Sequence, residues 1–300
     1  MDRRKFLKLA ALTGAGLSMP AGLNLLAEAA ETTLHPELVI AHGVSPEMIV
    51  QAAINALGGI KKFISHGDVV VIKPNIGWDR TPDQAGNTNP EVVAAVVKLC
   101  FDAGAKRVRV FDRPVNDPRR CYVQSGIAPA AGALGADVGY VDDRKFKDMD
   151  INGQVLKSWP LYTEIFEADK VINIPIAKHH GLAKLTMSMK NWMGVMGGSR
   201  RQIHQRLDES LVDLSMKIKP TLTILDAVRI LTANGPQGGN LTDVKKIDTV
   251  IVGVDQVAID SYGATLFGMN GSDLGYVRLG HKLGMGQMDL NKVRIKKINV

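Results

Sequence analysis

The sequence contains very little cysteine, because only Cys100 and Cys121 carry a thiol among its 300 residues. It has no Cys-x-x-Cys motif and no haem-attachment motif, whereas an iron–sulfur cluster is usually held by four thiolates. We therefore expect no iron–sulfur cluster to be held by this chain alone. The two thiols could form a disulfide in an oxidising compartment. The apolar helical run around Cys100, residues 92–101, is instead typical of a buried thiol.

Aromatic residues are also scarce, at 5% of the chain, and dense blocks of positive charge are missing. The formal net charge is +7, and basic residues are spread along the chain apart from short pairs such as Arg119-Arg120 and Arg200-Arg201. Nucleic-acid binding usually needs a dense basic face, often with stacking aromatics. We therefore expect no nucleic-acid partner. The mild excess of positive charge favours a small anionic ligand.

The first 29 residues have the pattern of a twin-arginine signal peptide. Arg3 and Arg4 stand in a charged head, an apolar stretch covers residues 9–26, and Ala27-Glu28-Ala29 matches a cleavage site. Glycine, proline and asparagine interrupt the apolar stretch, which disfavours a membrane anchor. The sequence therefore predicts export by the twin-arginine translocase to the periplasm. Residues 30–300 are predicted to form a single α/β domain.

Residues 30–300 alternate apolar strand patterns with helical ones. Two helices are predicted to begin with a cap, a proline and an acid: Ser45-Pro46-Glu47, running to about Phe63, and Asn89-Pro90-Glu91. The predicted strands cover residues 38–41, 68–72, 107–111, 137–141, 170–174, 221–225 and 249–253. Such alternation predicts a mostly parallel sheet with helices on both faces, in three layers. A small hairpin excursion is predicted near residues 142–165, turning at residues 151–154.

Ligands of open parallel sheets bind beyond the carboxyl ends of the strands, so residues that directly follow strands are candidates. Lys73 and Asn75 follow the strand 68–72 and offer an ammonium and an amide to an anion. Lys178, His179 and His180 follow the strand 170–174, and their imidazoles suit proton transfer. The alternative for both segments is a polar surface loop.

Two further segments carry polar residues that could bind a ligand or react with it. Lys190 and Asn191 lie among apolar residues, where a desolvated lysine can act as a base or nucleophile unless it extends outward to solvent. Asp226 follows the strand 221–225, and the later glycine-rich loop could turn backbone amides toward an anion. That loop includes Asn234, Gly235 and Gly238. Its alternative is a flexible surface loop.

Two helical details are predicted to be structural. Met189, Met193 and Met196 recur at helical spacing, which is typical of a buried core. Asp255 is predicted to cap the helix that starts at Gln256. The sequence does not identify a metal or an organic cofactor for the site.

Taken in order, these segments resemble the family called domain of unknown function 362. The resemblance rests on the motifs around Lys73-Pro-Asn75, Asn89-Pro90-Glu91, Lys178-His179, Lys190-Asn191-Trp-Met-Gly194, Asp226 with Gly235-Pro-Gln-Gly238, and Asp255 with Asp260. Many members of this family carry an appended ferredoxin-like cluster domain, which implies redox or anaerobic metabolism. We expect this chain to be a member without that extension.

A more distant resemblance is to the nickel-pincer lactate racemases. Those enzymes place an Asp/Arg-Pro segment after an early strand and a histidine about ten residues before a cofactor-bearing lysine. Asp79-Arg80-Thr81-Pro82, His180 and Lys190 stand in those places here. The glycine-rich surroundings of that family's lysine are missing.

We therefore expect a small-molecule enzyme with an anionic substrate or cofactor at the carboxyl edge of the sheet. Lys73, His179, Lys190 and Asp226 are expected to line one cleft. In it His179 or His180 would transfer protons, and Lys190 would orient or attack a carbonyl. Asn75, Lys178, Asn191 and the loop with Asn234, Gly235 and Gly238 would help to bind the anion. The alternative is a non-catalytic maturation or binding subunit of an exported redox complex, with a redox partner protein and a broad exposed apolar patch.

Overall fold

The computed structural model describes residues 36–300, and the predicted signal segment, residues 1–29, lies outside the described residues. The strands are β1 Leu38–His42, β2 Val69–Pro74, β3 Arg107–Val110, β4 Asp137–Val138, β5 Phe146–Asp150, β6 Ser158–Tyr162, β7 Lys170–Ile174, β8 Ile176–His180, β9 Lys184–Thr186, β10 Leu222–Leu231, β11 Val244–Gly253 and β12 Ile295–Asn299. The helices are α1 Pro46–Ala56, α2 Pro90–Asp102, α3 Pro118–Gln124, α4 Ile127–Gly132, α5 Glu164–Glu167, α6 Ser188–Asn191, α7 Leu207–Lys217, α8 Gln256–Thr265 and α9 Gly275–Lys282.

Ten of these strands form one mixed, mostly parallel sheet. Its main order is β12-β1-β11-β10-β7-β2-β3-β4, and β8 and β9 continue it beside β10. The pairs β1–β11, β10–β11 and β8–β9 are antiparallel, and the other pairs are parallel. β5 and β6 form a separate antiparallel hairpin. The predicted parallel character of the sheet and the hairpin excursion near residues 142–165 are confirmed.

The sheet is buried on both faces, which explains its continuous apolar strands. Successive side chains point to opposite faces, so Val70 and Ile72 of β2 join a core formed with α1 and α2, while Val71 joins a second core. That second core contains Leu211 of α7 and Val257 of α8. The predicted three-layer arrangement, with helices on both faces, is therefore present.

The helix starts follow the predicted capping residues. Ser45 Oγ accepts a hydrogen bond from the amide of Met48, and Asn89 Oδ1 accepts one from the amide of Glu91. Asp255 caps α8 through the amide of Ala258, as predicted. The prediction of a helix to about Phe63 is wrong at its end. α1 stops at Ala56 because Gly58 and Gly59 have φ of 107° and 86°, which are outside the helical region.

A proline redirects the chain at the functional edge of the sheet. β7 ends at Ile174, and after Pro175 the chain continues as β8, which pairs with the second half of β10. Proline has no N–H to donate to a sheet ladder, and the Pro175 carbonyl accepts from the amide of Asp226 at 2.8 Å. Residues 176–180 are thus a strand and not the polar surface loop considered as an alternative.

The two cysteines do not form a disulfide in this structure. Cys100 on α2 and Cys121 on α3 are both buried free thiols. Burial raises the pKa of Cys100 to about 12 and that of Cys121 to about 11, so both groups stay protonated at neutral pH. Between residues 36 and 300, no helix has the length and apolar character needed to cross a membrane.

Candidate functional site

A cavity of about 760 Å³ opens at the carboxyl edge of the sheet, lined from β2, β8, α6, the segment after β3 and residues 199–205. Its described lining holds six cationic side chains and one carboxylate, Asp112, together with two imidazoles, His180 and His204. The cations are Lys73, Arg113, Lys178, Lys190, Arg200 and Arg201. The cavity is therefore strongly cationic.

Lys73 is the fully buried centre of the site. Its Nζ lies 2.7 Å from Asp112 Oδ1 and donates to the Pro74 carbonyl at 2.7 Å and to Asn191 Oδ1 at 3.1 Å. An ammonium has three protons to donate, so these three acceptors satisfy it. Burial lowers the pKa of Lys73, and the carboxylate of Asp112 opposes that shift. Lys73 was expected to offer its ammonium to a ligand, and instead it holds the site together.

Asn191 links the buried lysine to the rest of the site. Its Nδ2 donates to the Lys73 carbonyl at 3.1 Å and to Asn173 Oδ1 at 2.8 Å, and its Oδ1 accepts from Lys73 and from Asn75 Nδ2, the latter at 3.1 Å. Asn75 Oδ1 in turn accepts from Lys178 Nζ at 3.1 Å. A continuous hydrogen-bonded chain therefore runs from Lys73 to Lys178.

Gly194 brings its backbone unusually close to the ion pair. A Cβ at this position would lie 1.8 Å from Asp112 Oδ1 and 2.6 Å from Lys73 Nζ. No side chain larger than hydrogen can occupy that space without displacing the pair. The glycine of the Lys190-Asn191-Trp-Met-Gly194 motif is thus explained by the packing of the site.

Two lysines of the cavity retain N–H groups that no oxygen within residues 36–300 satisfies. Lys178 donates to the Gly86 carbonyl at 2.6 Å and to Asn75, which leaves one proton. Lys190 Nζ has the sulfur of Met193, at 3.4 Å, as its one hydrogen-bond partner among residues 36–300. Burial and the neighbouring charge of Lys190 lower the pKa of Lys178 to about 7. Burial and Arg200 lower the pKa of Lys190 to about 8.

The two imidazoles of the cavity carry opposite hydrogen-bonding roles. His180 Nδ1 accepts from the amides of Leu182 and Ala183, at 3.1 and 3.2 Å, so its proton is on Nε2 when the ring is neutral. His204 Nδ1 lies 3.1 Å from the Arg200 carbonyl and must donate to it, which leaves a lone pair on Nε2. The two rings stack with centroids 6.3 Å apart.

Both imidazoles are held neutral by their surroundings. Burial, with the nearby charges of Lys190 and Lys178, lowers the pKa of His180 to about 3. Burial and the charge of Lys190 also lower the pKa of His204. The pair thus presents one N–H donor and one acceptor nitrogen at neutral pH. Among residues 36–300, no group of three or more His, Cys, Asp or Glu side chains is placed to hold a metal ion.

Two arginines fasten the loop of residues 196–206 beside the cavity. Arg200 donates to the carbonyls of Arg113 and Pro114, at 2.9 and 2.8 Å. Arg113 donates in return to the carbonyls of Met196 and Gly198, at 2.8 and 3.3 Å. This reciprocal arrangement positions His204 within the site.

A buried carboxylate positions the helix that carries Lys190. Asp260 of α8 accepts from the amides of Ser188 and Met189 at the start of α6, at 2.7 and 3.0 Å. Burial raises the pKa of Asp260 to about 7, and the two amide hydrogen bonds oppose that shift. The position of α6 therefore depends on a neighbouring element on the same face of the sheet.

The structure brings together more than half of the predicted site residues. Lys73, Asn75, Lys178, His180, Lys190 and Asn191 all line the cavity. Asp226 does not line the cavity, so the prediction that it shares one cleft with Lys73 and Lys190 is wrong. Asp226 is buried and accepts from the amides of Asn89 and Val228, at 2.7 and 2.9 Å. The predicted strand ended at residue 225, but β10 continues to Leu231 and places Asp226 within it.

His179 and the glycine-rich loop also lie outside the cavity lining. His179 alternates with Lys178 and His180 along β8, and its Nδ1 accepts from the amide of Gly235 at 3.1 Å. Asn234 Nδ2 donates to Asp243 Oδ2 at 2.9 Å, and the Gly238 carbonyl accepts from Arg80 at 3.4 Å. The loop binds to its own protein surroundings, and only Pro236 from it reaches the cavity.

Sequence reasoning missed five charged or titratable residues of the cavity lining: Asp112, Arg113, Arg200, Arg201 and His204. Asp112 and Arg113 directly follow the predicted strand 107–111, so the carboxyl-end rule applied to the other strands could have found them. Arg200 and His204 follow no strand, and their only signal was the short basic pair Arg200-Arg201.

A family model described as a domain of unknown function, DUF362, matches residues 70–265. A thylakoid-associated protein from Synechocystis sp. is 30% identical over 219 residues, which cover 70% of this chain and 66% of that protein. The match therefore spans slightly less than two thirds of the relative's length.

Two solved structures are similar at low sequence identity. One is a structural-genomics protein from Thermotoga maritima, with a TM-score of 0.40 and 11% identity over 65% of this chain and 54% of that chain. The other is a lactate racemase apoprotein from Thermoanaerobacterium thermosaccharolyticum, with a TM-score of 0.49 and 9% identity over 85% of this chain and 60% of that chain.

Proposed function

Since this chain belongs to the DUF362 family, as its sequence motifs predicted, we propose from the site itself that it is an enzyme acting on a small organic anion. One observation carries the proposal: the lining of a cavity of about 760 Å³ gathers six cationic side chains and only one carboxylate within residues 36–300. Like charges repel strongly in a poorly solvated cavity. A bound anion would offset that repulsion.

The groups available to the anion follow from a count of protons. Lys73 already donates to three acceptors, whereas Lys178 retains one proton and Lys190 has no oxygen partner among residues 36–300. We therefore assign anion binding to Lys178 and Lys190. Lys73, with Asn75 and Asn191, has the role of positioning them.

The imidazole pair supports a catalytic role rather than simple binding. His180 offers an N–H, and His204 offers a lone pair, on rings stacked 6.3 Å apart beside the cationic cavity. One can donate a proton while the other accepts one, as general acid–base catalysis requires. The alternative function, a non-catalytic subunit of an exported redox complex, gives no reason for this arrangement.

A matched pair of probes tests the proposal. Glycolate and ethylene glycol differ only in that glycolate carries a carboxylate. Binding calorimetry and thermal unfolding should show saturable binding of glycolate and none of ethylene glycol. Lys190→Met should weaken glycolate binding by about 1.5–3 kcal/mol, the value of a charge-assisted hydrogen bond.

Lys61→Met is the matched control, because Lys61 is exposed and does not line the cavity. It should leave glycolate affinity unchanged. Equal binding of both probes, or an unchanged affinity in Lys190→Met, would contradict the anion site and favour the non-catalytic alternative.

We further propose that the protein is exported to the periplasm by the twin-arginine route. The support is the motif itself, with Arg3 and Arg4 before an apolar stretch and a small-residue cleavage site.

A further inference from the structure

Lys190 differs from the other lysines of the cavity in what surrounds its nitrogen. Lys73 and Lys178 donate to carbonyl, amide or carboxylate oxygens, while the Met193 sulfur, at 3.4 Å, is the one hydrogen-bond partner of Lys190 Nζ within the described residues. Lys190 is 8% exposed as a residue and lines the cavity. Among residues 36–300, no oxygen acceptor therefore stabilises the protonated form of this nitrogen.

The charges around Lys190 favour a neutral amine. Arg200 lies close enough to lower its pKa, burial acts in the same direction, and the result is a pKa of about 8 against an ordinary 10.5. An amine that is partly deprotonated near neutral pH can attack a carbonyl, whereas an ammonium cannot. The free fraction at pH 7 is larger by about two orders of magnitude than for an ordinary lysine.

Proton carriers are present where an addition reaction needs them. His180 and His204 line the same cavity as Lys190, and their rings stack with centroids 6.3 Å apart. His204 Nε2 can accept a proton, and His180 Nε2–H can donate to an oxygen that becomes negative.

We propose that Lys190 is a nucleophile that forms an imine with an aldehyde or ketone carried by the bound anion. The amine nitrogen bonds to the carbonyl carbon, and its proton passes to the carbonyl oxygen to give a carbinolamine. The C–O bond then breaks, water leaves, and a C=N bond remains. No oxidant or reductant is needed, and hydrolysis returns the amine.

This inference rests on the proposed function and narrows its substrate class. The ligand would be a small oxo-acid or oxo-phosphate, in which Lys178 contacts the anionic group while Lys190 reaches the carbonyl. An imine withdraws electrons from the adjacent carbon, so the reaction would make or break a bond at that carbon.

Reductive trapping tests the inference. Glyoxylate carries an aldehyde and a carboxylate, and cyanoborohydride reduces its imine with lysine to a stable secondary amine. The full chain is treated at pH 7, and the modified lysines are identified by peptide mass spectrometry. Lys190 should be modified at least about tenfold faster than the exposed Lys61 and Lys106, because a much larger fraction of its amine is unprotonated at pH 7. Modification of Lys190 at or below the rate of the exposed lysines, or of Lys178 in its place, would overturn the inference.

Two variants and one competitor separate this inference from the anion site. Lys190→Arg keeps the positive charge and should bind glycolate while losing the label, and Lys190→Met should lose the label as well. Glycolate, which has no aldehyde or ketone, should slow labelling of the wild-type protein.

The two failures are distinguishable. If the wild-type protein binds glycolate but Lys190 is not labelled, the anion site stands and the nucleophile is wrong. If Lys190 is labelled rapidly but glycolate neither binds nor slows the reaction, the nucleophile stands and the proposed anion binding is wrong.

Discussion

Lys73 shows how a residue chosen from the sequence as a ligand contact takes a different part in the structure. It is fully buried, pairs with Asp112 at 2.7 Å, and donates to two further oxygens. Lys73→Met would leave the Asp112 carboxylate buried without its counter-ion. The variant should lose about 3–5 kcal/mol of the free energy of unfolding, measured by urea denaturation.

A surface ion pair provides the control for this prediction. Lys98 and Asp102 pair at 3.0 Å with both side chains more than half exposed, so Lys98→Met should cost less than about 1 kcal/mol. The double variant Lys73→Met/Asp112→Asn should recover part of the loss, because it removes the unpaired charge. A Lys73→Met protein as stable as Lys98→Met would contradict the buried pair.

The lowered pKa of Lys190 also makes a prediction about pH. With a folded pKa of about 8 and an ordinary value of 10.5, Lys190 binds fewer protons in the folded chain than in the unfolded chain across this interval. The free energy of unfolding should therefore rise with pH. The contribution of this one group between pH 7 and pH 9 is about 1.4 kcal/mol.

The measurement is urea denaturation of wild type and Lys190→Met at pH 7, 8 and 9. The difference between the two proteins reports on Lys190 and on Lys178, whose pKa the charge of Lys190 lowers, and removes the contribution of cysteines and tyrosines that titrate at higher pH. The gain with pH should be smaller in Lys190→Met and unchanged in Lys61→Met, whose side chain is exposed. Parallel pH profiles for all three proteins would count against a perturbed Lys190.

Helix α6 is only four residues long, although it carries the proposed nucleophile Lys190. It contains only Ser188–Asn191, and Asp260 of α8 accepts the amides of its first two residues. Asp260→Ala should leave those amides unsatisfied, at a cost of about 1–3 kcal/mol, and should displace Lys190. Glycolate affinity should fall by roughly tenfold, as for loss of about 1.4 kcal/mol of binding free energy.

Asp255→Ala is the matched control for α6. Asp255 likewise accepts two amides, those of Ala258 and Gln287, but none from α6. Its loss should destabilise the fold without changing glycolate affinity, measured by calorimetry at a temperature where both variants are folded. Equal affinities for the two variants would mean that Asp260 does not position the site.

Strand ends limited what the sequence could predict about the elements. The apolar run 221–225 correctly located β10, but the strand continues through Asp226 to Leu231 because its outer half pairs with β8 and β11. Those pairings join residues far apart in sequence, and no local pattern encodes them. The same cause misplaced His179, since the alternation of β8 could be applied only once residues 176–180 were known to be a strand.

At the scale of the whole molecule, the layered architecture was predictable because it depends on local apolar patterns. Strands such as Lys170–Ile174 are apolar throughout, which a sheet covered on both faces requires. The antiparallel pairs of β11 were not predictable, because they depend on which strands become neighbours. Arg200 and His204 reach the cavity from a loop that is held by hydrogen bonds to main-chain carbonyls. Because every residue has a main-chain carbonyl, the sequence could not predict which ones hold this loop.

The export proposal concerns the chain as a whole and can be tested in bacterial cells. Replacing Arg3 and Arg4 with lysine keeps the positive charge but removes the planar guanidinium groups, which lysine does not imitate. The variant should remain in the cytoplasm, whereas the wild-type protein should reach the periplasm, as measured by cell fractionation. The same replacement at the exposed pair Arg119-Arg120 is the matched control and should not change export. Export of the wild-type protein from cells that lack the twin-arginine translocase would contradict the proposed route, because a signal read by paired arginines has no function without its receptor.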